Sequence, residues 1–156
     1  MNLGTANVPP WGGFHHVALV TPDLDATIAF YRDVLAMRIG EIREGGGVTA
    51  ARHCFIRPGA DTATWGLHFF EYPGAEIPQY SEGLRSGGFI AGGLQHIAFA
   101  LPDLAAAQAL RERLDAHGIE ATPTGNVGPI QNLLFFDNHG YLLEATWPRE
   151  GTGTPP

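Results

Sequence analysis

The sequence predicts an α+β fold in which one β-α-β-β-β unit occurs twice. The main observation is an internal repeat: residues 13–24 and 93–104 have nearly the same order of residue types at a constant offset of 80. The offset places His16 on His96, and the agreement continues without a gap as far as Ile39. One long unit present only twice indicates a pseudo-two-fold domain rather than a stack of short repeats.

Periodicity predicts the elements of the first unit. Runs rich in β-branched and aromatic residues, separated by Gly and Pro, predict four strands. After the first strand, Asp23 stands where a helix N-cap is expected, and apolar residues three or four positions apart form one helical face. The strands are predicted at 14–20, 38–44, 48–57 and 64–72, the turns at 45–47 and 58–61, and the helical face at Leu24, Ile28, Tyr31 and Leu35.

The second unit repeats this order after a connector rich in Gly, Pro and Ser. The connector is long for a compact domain, which indicates a lid or a surface linker. Asp103 caps the second helix, Gly118 ends it, and Asp137–Gly140 predicts a hairpin turn. The predicted strands are 94–101, 119–125, 130–136 and 141–147, and the helix is 104–117. We expect a single domain at 13–148, with module one at 13–72, the connector at 73–93, module two at 94–148, and flexible tails at 1–12 and 149–156.

Composition restricts the function. The chain has 156 residues, a formal charge of −7 and no lysine, so a nucleic-acid partner is not expected. No apolar run approaches the ~20 residues that a membrane helix needs, and no secretory signal is visible. The single cysteine, Cys54, excludes an intrachain disulfide and is expected to be a buried apolar residue in a reducing compartment. These observations predict a cytoplasmic protein that acts on small molecules.

Strand alternation separates a bulky face from a histidine face in both units. On the first strand, His16 shares a face with Ala18 and Val20, and bulkier residues alternate with them. In the repeat, His96 shares a face with Ala98 in the same way. Because bulky faces pack on helices, we expect the histidine faces to border an open concavity.

The last strands of the two units supply two further candidates. Matching Leu67 to Leu143 places His68 opposite Glu144. A glutamate within an apolar run needs a partner, since buried carboxylates are rare without one. Three imidazoles and one carboxylate that converge on a pseudo-two-fold axis would hold a divalent transition metal. The candidate ligands are His16, His68, His96 and Glu144.

The remaining titratable residues are weaker candidates. Alternation directs Glu71 and His15 away from the concavity, and His117 is at a helix end. His139 is in a turn, where we expect it to be solvated. His53, on the third strand, could line the concavity, and the pattern leaves its face open.

Over residues 13–148 the chain resembles the vicinal oxygen chelate superfamily, which includes glyoxalases, bleomycin resistance proteins and extradiol dioxygenases. The resemblance rests on the segment from His16 to Leu35, on His96-Ile-Ala-Phe and on the segment from Phe136 to Glu144. It implies paired βαβββ modules that form an open, eight-stranded, barrel-like cup around a metal, with a homodimer in which modules pair within one chain or across a swapped interface.

The resemblance carries the first-strand histidines onto His16 and His96 and the last-strand glutamate onto Glu144. The fourth position, often Glu in glyoxalase I, falls on His68 here. The turn that usually reads Asp-Pro-Asp-Gly is Asp137-Asn-His-Gly140. The ligand set suits Zn, Ni, Co, Fe or Mn.

Three functions are compatible with this site. The first is a glyoxalase-like lyase or isomerase for an α-hydroxycarbonyl or hemithioacetal substrate, in which Glu144 is the catalytic base. The second is an extradiol dioxygenase, in which His16, His96 and Glu144 bind Fe(II) and His68 acts as an acid or base. The third is a metal-free small-molecule binding protein of the bleomycin-resistance type.

Overall fold

A computed structural model describes residues 13–45, 50–59, 65–80 and 90–151. The predicted arm at 1–12, most of the glycine turn at 45–47, part of the turn at 58–61, the middle of the connector at 81–89 and the end of the C-terminal tail lie outside the described residues. The described part contains two sheets of mixed pairing and two helices, so the predicted α+β class is confirmed.

The element order is strand-helix-strands in both halves. The first half comprises β1 His16–Thr21, α1 Leu24–Ala29, β2 Arg38–Ile39, β3 Arg43–Glu44, β4 Arg52–Arg57 and β5 Gly66–Glu71. The second half comprises β6 Ile97–Ala100, α2 Leu104–Ala116, β7 Gly125–Val127, β8 Ile130–Phe136 and β9 Leu142–Pro148. Among the described residues, no helix is long and apolar enough to cross a membrane.

The two sheets have the same topology. Their strand orders are β1-β5-β4-β2 and β6-β9-β8-β7, with the short β3 also paired to β4. In each sheet the first strand pairs in parallel with the last strand. Val17 lies opposite Leu67 and Ile97 lies opposite Leu143, so the equivalence of these two leucines in the two sheets is confirmed.

Capping residues start both helices as predicted. The Asp23 carboxylate accepts from the Ala26 amide at 2.9 Å, and the Asp103 carboxylate accepts from the Ala106 amide at 2.8 Å. α2 ends before Gly118, whose φ of +69° favours glycine. α1 is shorter because it continues as a π-helical turn over Phe30–Val34.

The core lies between the helices and the bulky faces of both sheets. Leu19 and Phe99 are buried, while the alternate positions Ala18 and Ala98 are exposed, as the alternation predicts. The buried core also contains Leu24, Ile28, Tyr31, Cys54, Leu67, Phe69, Leu114, Leu133, Leu143 and Trp147.

Polar contacts join the two halves. The buried Tyr31 hydroxyl donates to the Asp137 carboxylate at 3.1 Å. The Tyr141 hydroxyl donates to the Val20 carbonyl at 2.9 Å, and the Arg113 guanidinium donates to the Val34 carbonyl at 2.9 Å. The last two contacts attach side chains of the second half to the strand and helical backbone of the first.

Several predicted boundaries were wrong. The single strand predicted at 38–44 is two short strands that both pair with β4. The strand predicted at 119–125 is reduced to a bridge between Ala121 and Phe135, and β7 begins only at Gly125. The cause is local: Pro123 has no amide hydrogen, and the Thr122 hydroxyl accepts the Leu134 amide at 3.0 Å in place of a backbone carbonyl.

Candidate metal and substrate site

The first half of the candidate site lies on the exposed face of the first sheet. His16 begins β1, and His68 on β5 lies opposite Ala18. Their ring centroids are 5.8 Å apart. Phe55 on β4 packs against both rings, with centroid distances of 5.3 Å to His16 and 4.0 Å to His68.

The second half occupies the equivalent face of the second sheet. Glu144 on β9 lies opposite Ala98, and its Oε2 is 2.9 Å from Nε2 of His96. Its other oxygen, Oε1, accepts a hydrogen bond of 2.7 Å from the Asn132 amide on β8. Glu144 is only 8% exposed, so the expectation that it needs partners is confirmed. His96 lies one residue before β6 rather than within it.

Asn132 was missed by the sequence reasoning. It lies on β8 opposite Thr146, within a run that is otherwise almost wholly apolar. The signal in the sequence is that polar interruption, and its link to Glu144 depends on a side-chain contact between β8 and β9 that strand alternation does not predict.

The structure therefore places the four predicted residues as two pairs, one on each sheet. His16 is next to His68, and His96 is next to Glu144. Within the described ranges, no three His, Cys, Asp or Glu side chains form a group that could hold a metal ion. The donor types nevertheless suit a divalent transition metal, because each sheet contributes an imidazole and a second nitrogen or oxygen donor at equivalent positions.

Two cavities lie between the halves, and one of them borders His16. One, of about 390 Å³, is lined by His16 and Trp65 from the first half and by Ala98 and Ala100 from the second. The other, of about 280 Å³, is lined by Ala18, Val20 and Leu142 and by connector residues Ile77, Pro78, Tyr80 and Ile90. Ala18 is two residues beyond His16 on the same strand face, so this cavity begins about 7 Å from the candidate site.

The connector is attached beside the second half of the site. The Tyr80 hydroxyl donates to the Gln95 carbonyl at 2.5 Å. The Gln95 side chain in turn accepts from the Ile90 amide at 2.9 Å and donates to the Ile90 carbonyl at 2.5 Å. Gln95 directly precedes His96, so Tyr80 and Ile90 attach the connector to the residue next to a candidate ligand.

Two other histidines join the first pair. Nδ1 of His53 is 2.9 Å from Nε2 of His68, and Nε2 of His53 is 3.1 Å from the Gly45 carbonyl oxygen. Nδ1 of His15 is 2.9 Å from Nδ1 of His16. The exclusion of His15 by alternation was wrong because β1 starts only at His16, so strand parity does not apply to the preceding residue.

The electrostatics of His68 favour a neutral ring. Burial lowers its pKa below the usual value of 6.5, and the neighbouring His53 and His16 lower this pKa further. A neutral imidazole has one nitrogen with a free lone pair, which can bind a metal or accept a proton.

The other titratable residues have structural contacts. The Glu71 carboxylate accepts from the Leu24 amide at 2.9 Å and pairs with Arg52 at 3.2 Å, so it faces away from His68 as predicted. Burial raises the pKa of the Cys54 thiol to about 11, which agrees with a packing role. His139 was expected to be solvated, but its Nε2 is 3.2 Å from the Asp23 carbonyl oxygen.

The duplicated βαβββ fold and the paired donors define a class of proteins with histidine and carboxylate groups on an exposed sheet face. The family model described as Glyoxalase/Bleomycin resistance protein/Dioxygenase superfamily matches residues 13–145. The chain therefore belongs to this superfamily, as its motifs indicated.

Individual relatives show the range of the family. A Cereibacter sphaeroides protein named ethylmalonyl-CoA/methylmalonyl-CoA epimerase is 29% identical over 148 residues, 85% of this chain and 96% of that protein. A glyoxylase/bleomycin resistance protein/dioxygenase domain from Frankia sp. EAN1pec superposes with a TM-score of 0.69 at 27% identity, covering 90% of this chain and 95% of that chain. A Listeria monocytogenes FosX complex that contains Mn(II) has a TM-score of 0.61 at 18% identity, with 86% and 91% covered, and so shares the fold.

Proposed function

We propose that this protein is a metal-dependent lyase or isomerase that moves a proton on a carbon next to a carbonyl group. The observation that supports this most directly is Glu144, a buried carboxylate with both oxygens held in place, by His96 and by Asn132. A carboxylate fixed in this way can accept a proton from a carbon acid and return it. The 29% identical relative is named as an epimerase, which is compatible with such a proton transfer.

The metal would draw on both donor pairs, His16 with His68 and His96 with Glu144, and these pairs would have to converge on it, since among the described residues no three of these side chains form a group as they stand. When bound, a divalent metal would polarise two neighbouring substrate oxygens and so stabilise an enolate. Asn132 keeps the Glu144 carboxylate oriented through Oε1, and Phe55 covers one face of the His68 ring.

The cavities indicate a small substrate with an apolar part. Ligand pockets are commonly about 300–1,000 Å³, and the two cavities here, about 280 and 390 Å³, are at or near the lower end of that range. Both are lined largely by Ala, Val, Leu, Ile and aromatic side chains. We therefore assign the oxygens of the substrate to the donor pairs and its carbon substituents to the cavities.

The test uses protein purified without a metal-affinity tag. Its metal content is measured by elemental analysis, and solvent deuterium incorporation is followed with methylmalonyl-CoA and with the hemithioacetal of methylglyoxal and glutathione. We expect about one Zn, Ni, Co or Mn ion per protein chain, since one chain carries two donor pairs. We also expect metal-dependent deuterium exchange in one of the two substrates. Bound metal without exchange in either substrate would contradict this assignment.

A second candidate function is an extradiol dioxygenase, and one contact favours it. The 2.9 Å contact between His53 and His68 gives His68 a partner other than a metal. His16, His96 and Glu144 would then form the two-histidine, one-carboxylate set that binds Fe(II), and His68 would act as an acid or base. Iron in the purified protein together with oxygen uptake on catechols would select this function, and retained ligand binding without metal would select a binding protein.

A further inference from the structure

A chain of three polar groups runs from the Gly45 carbonyl to the candidate ligand His68. The Gly45 carbonyl oxygen is 3.1 Å from Nε2 of His53, and Nδ1 of His53 is 2.9 Å from Nε2 of His68. A carbonyl oxygen only accepts hydrogen bonds, so Nε2 of His53 must carry a hydrogen. In the neutral His53 ring Nδ1 then has the lone pair, and Nε2–H of His68 must be the donor to it.

The ring of His68 is also fixed by packing. Phe55 stacks on it at 4.0 Å with an interplanar angle of 15°, and Phe70 lies 4.2 Å away. His53 itself stacks on Phe70 at 5.3 Å and 26°. Gly45 has a φ of +69°, a conformation that favours glycine, and its amide donates to the Ala51 carbonyl at 3.3 Å, so the residue that supplies the carbonyl is itself held in place.

We propose that His53 is a positioning residue that holds His68 in the Nε2–H tautomer, so that Nδ1 is the nitrogen presented to the metal or to the substrate. The role of Nδ1 rests on the proposed function, whereas the tautomer and its cause do not. Partners that fix the second nitrogen of a metal-binding histidine change metal affinity or activity about 10–100-fold when they are removed.

The direct test is a ¹⁵N NMR measurement on metal-free protein with labelled histidine. We expect a hydrogen on Nε2 of His68 and a scalar coupling across the hydrogen bond from this nitrogen to Nδ1 of His53, with His68→Gln used to assign the signals. A hydrogen on Nδ1 of His53 with Nε2 of His68 as acceptor, or a hydrogen on Nδ1 of His68, would overturn the proposal. Because the sample contains neither metal nor substrate, failure of the proposed function leaves this result interpretable.

Variants test whether His53 is the cause. His53→Leu removes the acceptor, so we expect His68 to interconvert between both tautomers and Co(II) affinity to fall about 10–100-fold. His53→Asn keeps an acceptor oxygen near the position of Nδ1, and we expect it to restore the Nε2–H tautomer and most of the affinity. His15→Leu, in the same group of histidines but without a contact to His68, is the matched control and should leave the His68 signals unchanged.

Two results of the variant series would contradict the proposal. One is an unchanged His68 tautomer in a folded His53→Leu protein. The other is equal loss of Co(II) affinity in His53→Asn and His53→Leu, which would indicate a packing role alone. If His53→Leu does not fold, the coupling in the unmodified protein and the His53→Asn comparison still decide the question.

Discussion

The two sheets share one topology but differ in the chemistry of their exposed faces. The first sheet presents His16 and His68 among aromatic rings, with His53 in contact with His68. The second presents His96 with the buried Glu144, which is held by the Asn132 amide. The comparison indicates that the repeat places the candidate donors at equivalent points of the two sheets, and that the strand position occupied by His68 in the first sheet is occupied by Glu144 in the second.

The largest effect should follow from removing that carboxylate. Glu144→Gln keeps the shape and the contact with Asn132 but cannot accept the proton, so we expect turnover to fall by about 10²–10⁴-fold. The measurement is kcat for deuterium exchange in metal-loaded protein. Glu71→Gln is the matched control on the other sheet: its contacts are to Arg52 and the Leu24 amide, and we expect lower stability with unchanged kcat. Equal losses of kcat in both variants would contradict the assigned roles.

Replacement of His68 should distinguish the two candidate mechanisms. If His68 binds the metal, His68→Ala should lower metal content and affinity together with turnover. If His16, His96 and Glu144 bind Fe(II), the same variant should keep its iron and slow only the chemical step. Metal content and turnover are therefore measured on the same preparation. Full metal retention with unchanged turnover would show that His68 is neither a metal ligand nor an acid or base in the reaction.

The difference between the sheets explains what the sequence could predict. The repeat and strand alternation correctly paired Leu67 with Leu143, because a period of two and a fixed offset follow from backbone geometry alone. His53 and Asn132 could not be assigned in this way, since their contacts cross to the neighbouring strand. The limits of the short β2, β3 and β7 were also predicted wrongly, and in the segment before β7 a threonine side chain rather than a backbone carbonyl accepts the Leu134 amide.

The contact between the halves should contribute measurably to stability. Tyr31→Phe removes the hydrogen bond to the buried Asp137, and we expect the free energy of unfolding in urea to fall by about 1–3 kcal/mol. Turnover per folded molecule should not change, because neither residue is near the four donors. A variant as stable as the parent at pH 7 would show that this bond does not hold the halves together.

The same variant makes a prediction about pH. Burial raises the pKa of Asp137 above its usual 3.8, so its charged form is disfavoured in the folded state. Protonation of Asp137 therefore stabilises the folded state, and this contribution grows as the pH falls through the raised pKa toward 3.8. Loss of the Tyr31 donor raises this pKa further, so the stability gap between parent and Tyr31→Phe should narrow on acidification, and a gap that widens would contradict the assignment.

The smallest expected effect concerns the two cavities, of which only one is lined by connector residues. Val20 lines the cavity that the connector borders, and Ala100 lines the cavity beside His16. Both residues are exposed, so Val20→Phe and Ala100→Phe should cost little stability. Each ring fills part of one cavity, and we expect KM to rise several-fold in the variant whose cavity holds the carbon substituent, with kcat nearly unchanged because neither position reaches the donors. The variant that leaves KM unchanged identifies the cavity that the substrate does not enter. Unchanged KM in both would mean that the substrate lies outside these cavities and would contradict the assignment of its apolar part.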